Sequence, residues 1–143
     1  MQQCEALLVR QYLGWPRDSP ELSFGVKLVS ANLMESTERN IYYWYYATQL
    51  LHNMQNAAWK QWNNRLRDGL VSMQVRNKGC DYGSWDPLRP VPDRWGGEAG
   101  RLYTTAMSIL TLEVYYRYLP LYKAGDQVTP GMPKLEPGSA TSR

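Results

Sequence analysis

Residues 70–87 read LVSMQVRNKGCDYGSWDP, and this stretch joins the end of a helix, a polar loop and a Gly-x-Trp motif. We predict that a helix over 59–74 ends at Gln74 and that the loop returns to it through Gly83 and Trp85. Glycine allows a tight backbone turn, and a buried tryptophan offers a large apolar ring whose N–H needs an acceptor. Gln74, Gly83 and Trp85 therefore predict a structural clip between one helical hairpin and the next.

Hydrophobic periodicity predicts five helices, at 2–13, 20–34, 40–54, 59–74 and 101–119. The fourth carries apolar residues at spacings of three and four along one side and polar residues elsewhere, as an amphipathic surface helix does. The third and the fifth are apolar on nearly every side, and such helices are surrounded by protein. We therefore expect an all-α fold in two layers, with the first, third and fifth helices largely buried and the second and fourth half exposed.

Weak internal similarity supports a repeat of helix pairs. The tripeptide Leu-Val-Ser occurs at 28–30 and again at 70–72, and residues 47–51 resemble residues 106–110. A period of about 40–50 residues, each containing a helix pair, is typical of α-helical repeat proteins.

Two segments interrupt or follow the predicted helices. The loop at 76–100 contains several prolines and a Gly-Gly pair, and loops of this length inside a compact domain are often functional. From residue 123 onward the chain is rich in Gly, Pro, Ser and Thr and has no apolar periodicity. We predict one domain at 1–122 and a disordered tail at 123–143.

The composition argues against several classes of function. The formal net charge is only +3 and the basic residues are scattered, whereas nucleic-acid binding needs a clustered basic surface. Cys4 and Cys80 form no disulfide framework, and Cys80, Asp81 and His52 could hold a metal ion only if the fold brought them together. No cofactor is expected. The sequence contains no apolar run of about 18 residues, so it predicts no transmembrane segment. No signal peptide is visible, and the sequence leaves the compartment undetermined.

The clip, the helix order and the repeat period together resemble the squalene-cyclase-like proteins, within the terpenoid cyclases and protein prenyltransferases that share an α/α-toroid fold. In the QW repeat of that family an outer helix ends in glutamine and a short loop reaches Gly-x-Trp. Gln74, Gly83 and Trp85 occupy those positions, with a longer loop than usual. The resemblance covers 4–122, and the segments 40–46 and 83–87 are similar to a bacterial, planctomycete-type subgroup.

The resemblance implies a partial toroid of about two and a half helical hairpins. A complete toroid of this family contains more hairpins than this chain offers. We therefore expect either that the chain is the C-terminal part of a longer protein or that it assembles with other chains. In both cases the remaining toroid repeats, or further copies, would cover its open ends.

The motifs that carry chemistry in toroid proteins are missing from this sequence. The Asp-x-Asp-Asp acid, which protonates an alkene in an aromatic-lined cavity, does not occur, and Asp81, Asp86 and Asp93 are expected to form turns and caps. The Asp-x-Cys zinc ligands of the prenyltransferases are also missing, and His52 is expected to be a hydrogen-bonded core or seam residue. The thioester motif Gly-Cys-Gly-Glu-Gln is not matched, because Cys80 is followed by aspartate and tyrosine.

Aromatic residues are the remaining feature, with 11 tyrosines and 6 tryptophans against a single phenylalanine. These two types suit surfaces that are apolar on one side and polar on the other. The five consecutive aromatics at 42–46 also favour a strand, but 48–54 continues with helical spacing. In a toroid, such residues on inner helices would line the central cavity and bind an apolar or isoprenoid ligand. The predicted ligand-binding residues are Tyr42, Trp44, Tyr45, Tyr46, Tyr103 and Tyr115.

Several functions are consistent with this sequence. The preferred hypothesis is a squalene-cyclase-like toroid module without its own catalytic acid, which binds an apolar ligand or a protein partner. The second is the C-terminal part of a class II terpene cyclase, an isomerase of polyprenyl substrates whose acid motif lies outside this chain. The third is a helical-repeat scaffold whose exposed apolar faces pair with a partner. An alternative for the aromatic residues is that they fill the centre of the fold and leave no cavity.

Overall fold

The computed structural model describes residues 2–32 and 39–117, and within them the protein is all-α, as predicted. Isolated backbone bridges pair Gln74 with Trp85 and Arg39 with Asp93. The predicted tail at 123–143 lies outside the described residues. The helices are α1 (Gln2–Tyr12), α2 (Pro20–Ala31), α3 (Ile41–Met54), α4 (Ala57–Met73), α5 (Gly96–Leu112) and the single turn α6 (Val114–Arg117).

Side-chain caps define where α3 and α4 begin. Asn40 Oδ1 accepts the Tyr43 amide at 3.1 Å, and Asn56 Oδ1 accepts the Trp59 amide at 3.2 Å. Each cap satisfies an amide that has no partner inside the helix. Helix α2 differs, because Ser19 occupies the N-cap position but its side chain makes no capping bond. The first turn of α2 is instead preorganised by the proline that follows Ser19.

The fifth helix begins earlier than predicted, inside the segment that we expected to be a loop. It starts at Gly96 and is interrupted at Gly100, whose φ of 73° lies in the left-handed region that favours glycine. A side chain at Gly96 would place its Cβ 2.5 Å from the Pro87 carbonyl oxygen. The absence of a side chain there lets the loop pack directly on the start of α5.

The helices form two layers, and α3 is the central helix. It contacts all of α1, α2, α4, α5 and α6. Helices α1, α3 and α5 contact one another in that order and form one row, beside which α2 contacts α4. The core includes side chains from both layers, and Trp62 of α4 donates its indole N–H to Thr48 Oγ1 of α3 at 3.0 Å. The helices of the row and the helices beside it therefore alternate along the chain from α1 to α5.

The prediction that α1 and α5 are largely buried is wrong. Helix α5 buries Thr104, Ser108 and Thr111, whereas its Leu102 is 84% exposed. The Ser108 hydroxyl donates to the Thr104 carbonyl at 2.7 Å and the Thr111 hydroxyl donates to the Met107 carbonyl at 2.7 Å. These hydroxyls are buried at little cost because they have hydrogen-bond partners. Within the described helices, α1 and α5 lie at the two ends of the row, so each has a neighbour in that row on one side.

Candidate functional site

Gln74, Gly83 and Trp85 come together in the structure. Gln74 directly follows α4, and its Nε2 donates to the Gly83 carbonyl at 2.9 Å. The Val75 amide donates to the Ser84 carbonyl and the Gly83 amide donates to the Val75 carbonyl, both at 2.8 Å. Gly83 has a φ of 82°, which side-chain-bearing residues rarely adopt. The residues that the sequence predicts as a clip thus form one hydrogen-bonded unit.

Trp85 connects this clip to both α4 and α5. Its side chain is 4% exposed, and its Nε1 donates to the Leu70 carbonyl of α4 at 2.8 Å. Its amide donates to Thr105 Oγ1 of α5 at 3.1 Å, and Thr104 Oγ1 donates to its carbonyl at 2.8 Å. The buried indole therefore has the acceptor that it needs, and Trp85 fastens the end of one helix to the next.

Arg39, which the sequence analysis did not predict as important, lies just before α3 and binds the loop that precedes α5. It is 4% exposed, and its guanidinium donates to the Arg89 carbonyl at 2.7 Å and to the Asp86 carbonyl. Its Nε lies 3.8 Å from Asp93 Oδ2. Burial lowers the pKa of Arg39, and the nearby Asp93 and Asp86 oppose that shift. Because these partners are far away in the sequence, no local pattern could have indicated them.

Two aspartates of the loop form caps and turns, as predicted. Asp93 Oδ2 accepts the amide of Ile41, the first residue of α3, at 2.9 Å, and Asp93 Oδ1 accepts the Trp95 amide at 3.1 Å. Asp86 Oδ1 accepts backbone amides of the turn that follows it, and its Oδ2 accepts Arg101 Nη2 at 2.7 Å. The amides of that turn and the Arg101 guanidinium lower the pKa of Asp86. Both carboxylates therefore take part in structural hydrogen bonds.

Three of the predicted tyrosines lie on one side of α3. Residues three and four positions apart lie on the same side of a helix, so Tyr42, Tyr45 and Tyr46 share a side. All three are half-buried. The Tyr42 and Tyr46 ring centroids are 4.9 Å apart, and the Tyr45 and Tyr46 centroids are 5.1 Å apart. The interplanar angles are 59° and 76°, so the Tyr42 ring is tilted against Tyr46 and the Tyr45 ring packs edge to face with it.

Trp44 does not belong to this group. Trp44 is 3% exposed and lies in the core, on the side of α3 away from the tyrosines. Its position follows from helical geometry, because consecutive residues of a helix cannot share one side. The side chain of Tyr115 lies outside the described part of the structure. Of the predicted ligand-binding residues, Trp44 is therefore a core residue rather than a surface residue.

Glu5 of α1, which the sequence analysis did not single out, borders the tyrosines on one side. An interaction with Tyr46, burial and the nearby Glu5 raise the pKa of Tyr42. Glu5 is half-buried on α1, which packs on α3.

Tyr103 of α5 borders the tyrosines on the other side. Its hydroxyl oxygen is buried and has no hydrogen-bond partner in the described part of the chain. Burial, with the nearby Asp93 and Tyr46, raises the pKa of Tyr103 to about 12. One surface thus extends over α1, α3 and α5. We call it the tyrosine face, and it consists of Glu5, Tyr42, Tyr45, Tyr46 and Tyr103.

The two cysteines differ in their surroundings, and we expect them to differ in reactivity. Cys4 is buried, and burial raises the pKa of its thiol to about 11, although a hydrogen bond with Tyr43 acts in the opposite direction. Cys80 is exposed. Because the thiolate is the reactive form, iodoacetamide at mildly alkaline pH should alkylate Cys80 and spare Cys4 in the folded protein. Intact mass should show a single adduct in the native wild type and none in Cys80→Ser, and fast alkylation of native Cys4 would contradict its burial.

His52 is a core residue, as the sequence predicts. It is buried with its ring centroid 5.0 Å from that of Trp59, and burial lowers the pKa of His52. The fold does not bring His52 together with Cys80 and Asp81. In the described residues, no group of three or more His, Cys, Asp or Glu side chains could hold a metal ion. The described helices include none that combines the length and the apolar character needed to cross a membrane.

Comparison with known proteins adds no assignment to this geometry. No protein-family model, no curated protein and no solved structure matches the chain. The resemblance to the squalene-cyclase-like proteins therefore stays a prediction.

Proposed function

We propose that this chain is an α-helical repeat module of the toroid type, and that it binds further helix pairs through the two ends of its α1–α3–α5 row. One observation carries the proposal: each end helix has an apolar stripe on the side that faces away from the row. Units of a repeat protein are stabilised by packing on their neighbours. An apolar stripe at the end of a row is therefore where the next helix would pack.

The stripe on α5 consists of Leu102, Ala106 and Ile109, all of which are exposed. Spacings of four and three residues place them along one side of the helix. The opposite side buries the small hydroxyl residues Thr104 and Ser108 against the rest of the protein. A helix whose outer side faced only water would have the reverse arrangement, with its larger aliphatic residues on the inner side. The stripe is thus suited to contact with protein.

The stripe on α1 consists of Ala6, Val9 and Leu13, which are also exposed and follow spacings of three and four. Leu13 continues the helical pattern just beyond α1, because its amide donates to the Val9 carbonyl at 2.9 Å. The opposite side of α1 buries Leu7 and Leu8 in the protein. Both ends of the row therefore combine a well-packed inner side with an exposed aliphatic outer side.

The occupant that we propose is a second copy of the chain, stacked head to tail. The α5 stripe of one copy would pack on the α1 stripe of the next copy and so continue the row of helices. Two different surfaces meet in such an interface, which then extends as an open chain or closes into a ring. The formal net charge of +3 is small, so repulsion between copies is weak.

Sedimentation analysis over a range of concentrations tests this proposal. We expect the wild type to form dimers and larger species as concentration rises. Val9→Glu and Leu102→Glu each place a charge in one stripe and should weaken association by about tenfold or more. Leu88→Glu is the matched control, because Leu88 is also exposed but lies in the loop outside both stripes.

A mixture of the two stripe variants tests the head-to-tail geometry. Val9→Glu keeps an intact α5 stripe and Leu102→Glu keeps an intact α1 stripe, so the mixture should form dimers that grow no further. Neither variant alone should associate strongly. A wild type that stays monomeric at high concentration would contradict the proposal, and so would strong dimers of Val9→Glu alone, because they would require a symmetric contact.

A further inference from the structure

We infer that the tyrosine face binds an organic cation that carries a trimethylammonium group. The face uses no residue of the two apolar stripes, so this inference is independent of the proposed self-association. It differs from the expectation of a neutral isoprenoid ligand because of Glu5, whose contact with the tyrosines only the structure reveals. Three features of the face favour such a ligand: the orientation of the rings, the charge of Glu5 and the position of Tyr103.

The ring orientations suit a compact cation. Tyr46 contacts both Tyr42 and Tyr45, with interplanar angles of 59° and 76°. Rings that meet at such angles direct their faces along different axes and form the walls of a corner. The face of an aromatic ring attracts a cation within about 6 Å of its centroid, and several rings around one ammonium group act together. All three rings are half-buried, so they are both held in place and accessible.

Glu5 provides the negative charge that a cation needs. Helix α1 packs on α3, and Glu5 lies near enough to Tyr42 for its negative charge to act on that phenol. The carboxylate adds a negative potential beside the rings, which strengthens the attraction of the face for a cation. Among the ion pairs of the described residues, none involves Glu5.

The same carboxylate disfavours a neutral ligand. An isoprenoid laid across the tyrosines would cover Glu5 and remove water from a charged group without supplying a partner, which costs free energy. A trimethylammonium group covers a similar apolar area and neutralises the carboxylate as it does so. The charge of Glu5 therefore decides between two ligands of similar shape.

Tyr103 adds a fourth ring on the α5 side of the face. It lies close enough to Tyr46 for the two phenols to interact electrostatically. Its hydroxyl has no hydrogen-bond partner in the described residues, so no such bond tethers the ring to a neighbouring element.

Calorimetric titration with choline and its neutral isostere, 3,3-dimethyl-1-butanol, tests the inference. The two molecules have nearly the same shape, so a difference in affinity reports the charge. We expect choline to bind at least about tenfold more tightly than the isostere. A parallel titration with trimethyllysine distinguishes two sources of the trimethylammonium group, a methylated peptide and a small choline-like molecule.

Variants locate the binding to the tyrosine face. Glu5→Gln keeps the shape of the side chain and removes its charge, and Tyr46→Leu removes the central ring. Each should weaken choline binding by about tenfold, and Glu5→Gln should leave the unfolding midpoint unchanged. Tyr82→Leu is the matched control, because Tyr82 is exposed in the loop and should not affect binding. No detectable binding of choline, equal binding of the isostere or of farnesol, or unchanged binding in Glu5→Gln would each overturn the inference.

Discussion

Replacing Trp85 with alanine should lower the free energy of unfolding by about 3–5 kcal/mol, the range for a buried aromatic residue. The indole is 4% exposed and lies among the core residues of the fold, and its N–H donates to the Leu70 carbonyl. A domain of this size has a total stability of about 5–15 kcal/mol. We therefore expect Trp85→Ala to be close to unfolding, as measured by urea denaturation followed by far-ultraviolet circular dichroism.

Two further variants separate the causes of that loss. Trp85→Phe keeps an aromatic ring but removes the donor to the Leu70 carbonyl, and it should cost about 1–3 kcal/mol. Trp95→Ala is the matched control, because Trp95 is 42% exposed and should change stability by less than about 1 kcal/mol. If Trp85→Ala were as stable as Trp95→Ala, the clip would not fasten α4 to α5.

Replacing Arg39 with methionine should cost about 3–5 kcal/mol, as expected when one partner of a buried ion pair is removed. The Asp93 side chain is 0% exposed and would lose the guanidinium whose Nε lies 3.8 Å from Asp93 Oδ2. The Arg89 and Asp86 carbonyls would lose their guanidinium donors at the same time. Urea denaturation measures the effect on the whole domain.

The geometry of the guanidinium should matter as well as its charge. Arg39→Lys keeps the charge but cannot span the same carbonyls with a planar fork, so we expect only partial recovery of stability. In the Arg39 variants, hydrogen exchange should become faster at the Arg94 amide, which donates to the Arg39 carbonyl at 2.9 Å. Arg67→Met is the matched control, because the Arg67–Asp68 pair is exposed and contributes about 0–1 kcal/mol. Equal effects of Arg39→Met and Arg67→Met would contradict the role that we assign to Arg39.

Several features could be predicted because their physical causes are close together in the chain. The α4 stripe is one example: Trp62, Leu66 and Leu70 follow helical spacing, and all three are buried. The cap at Asn40 is another, since it satisfies an amide only three residues away. The clip is the longest of these features, and it too closes within a single loop, through the bond from Gln74 to Gly83.

The candidate site could be predicted only in part. Five consecutive aromatic residues at 42–46 indicated an aromatic surface, but helical geometry places Trp44 in the core and Tyr42 at the surface. Glu5 could not be found from the sequence, because its relation to Tyr42 exists only when α1 packs on α3. Arg39 was missed for the same reason, since its acceptors lie in the loop that precedes α5.

The number of long helices, the cap at Asn40 and the clip follow from residue order alone, because each depends on groups within a turn or a short loop of one another. Which sides of those helices are covered is a property of the assembled protein. Helix α5 is the clearest case: its composition predicted a buried helix, yet it packs through Thr104 and Ser108 and exposes Leu102. Burial depends on which neighbours surround a helix, and α5 lies at the end of its row, where the described protein provides none on the outer side.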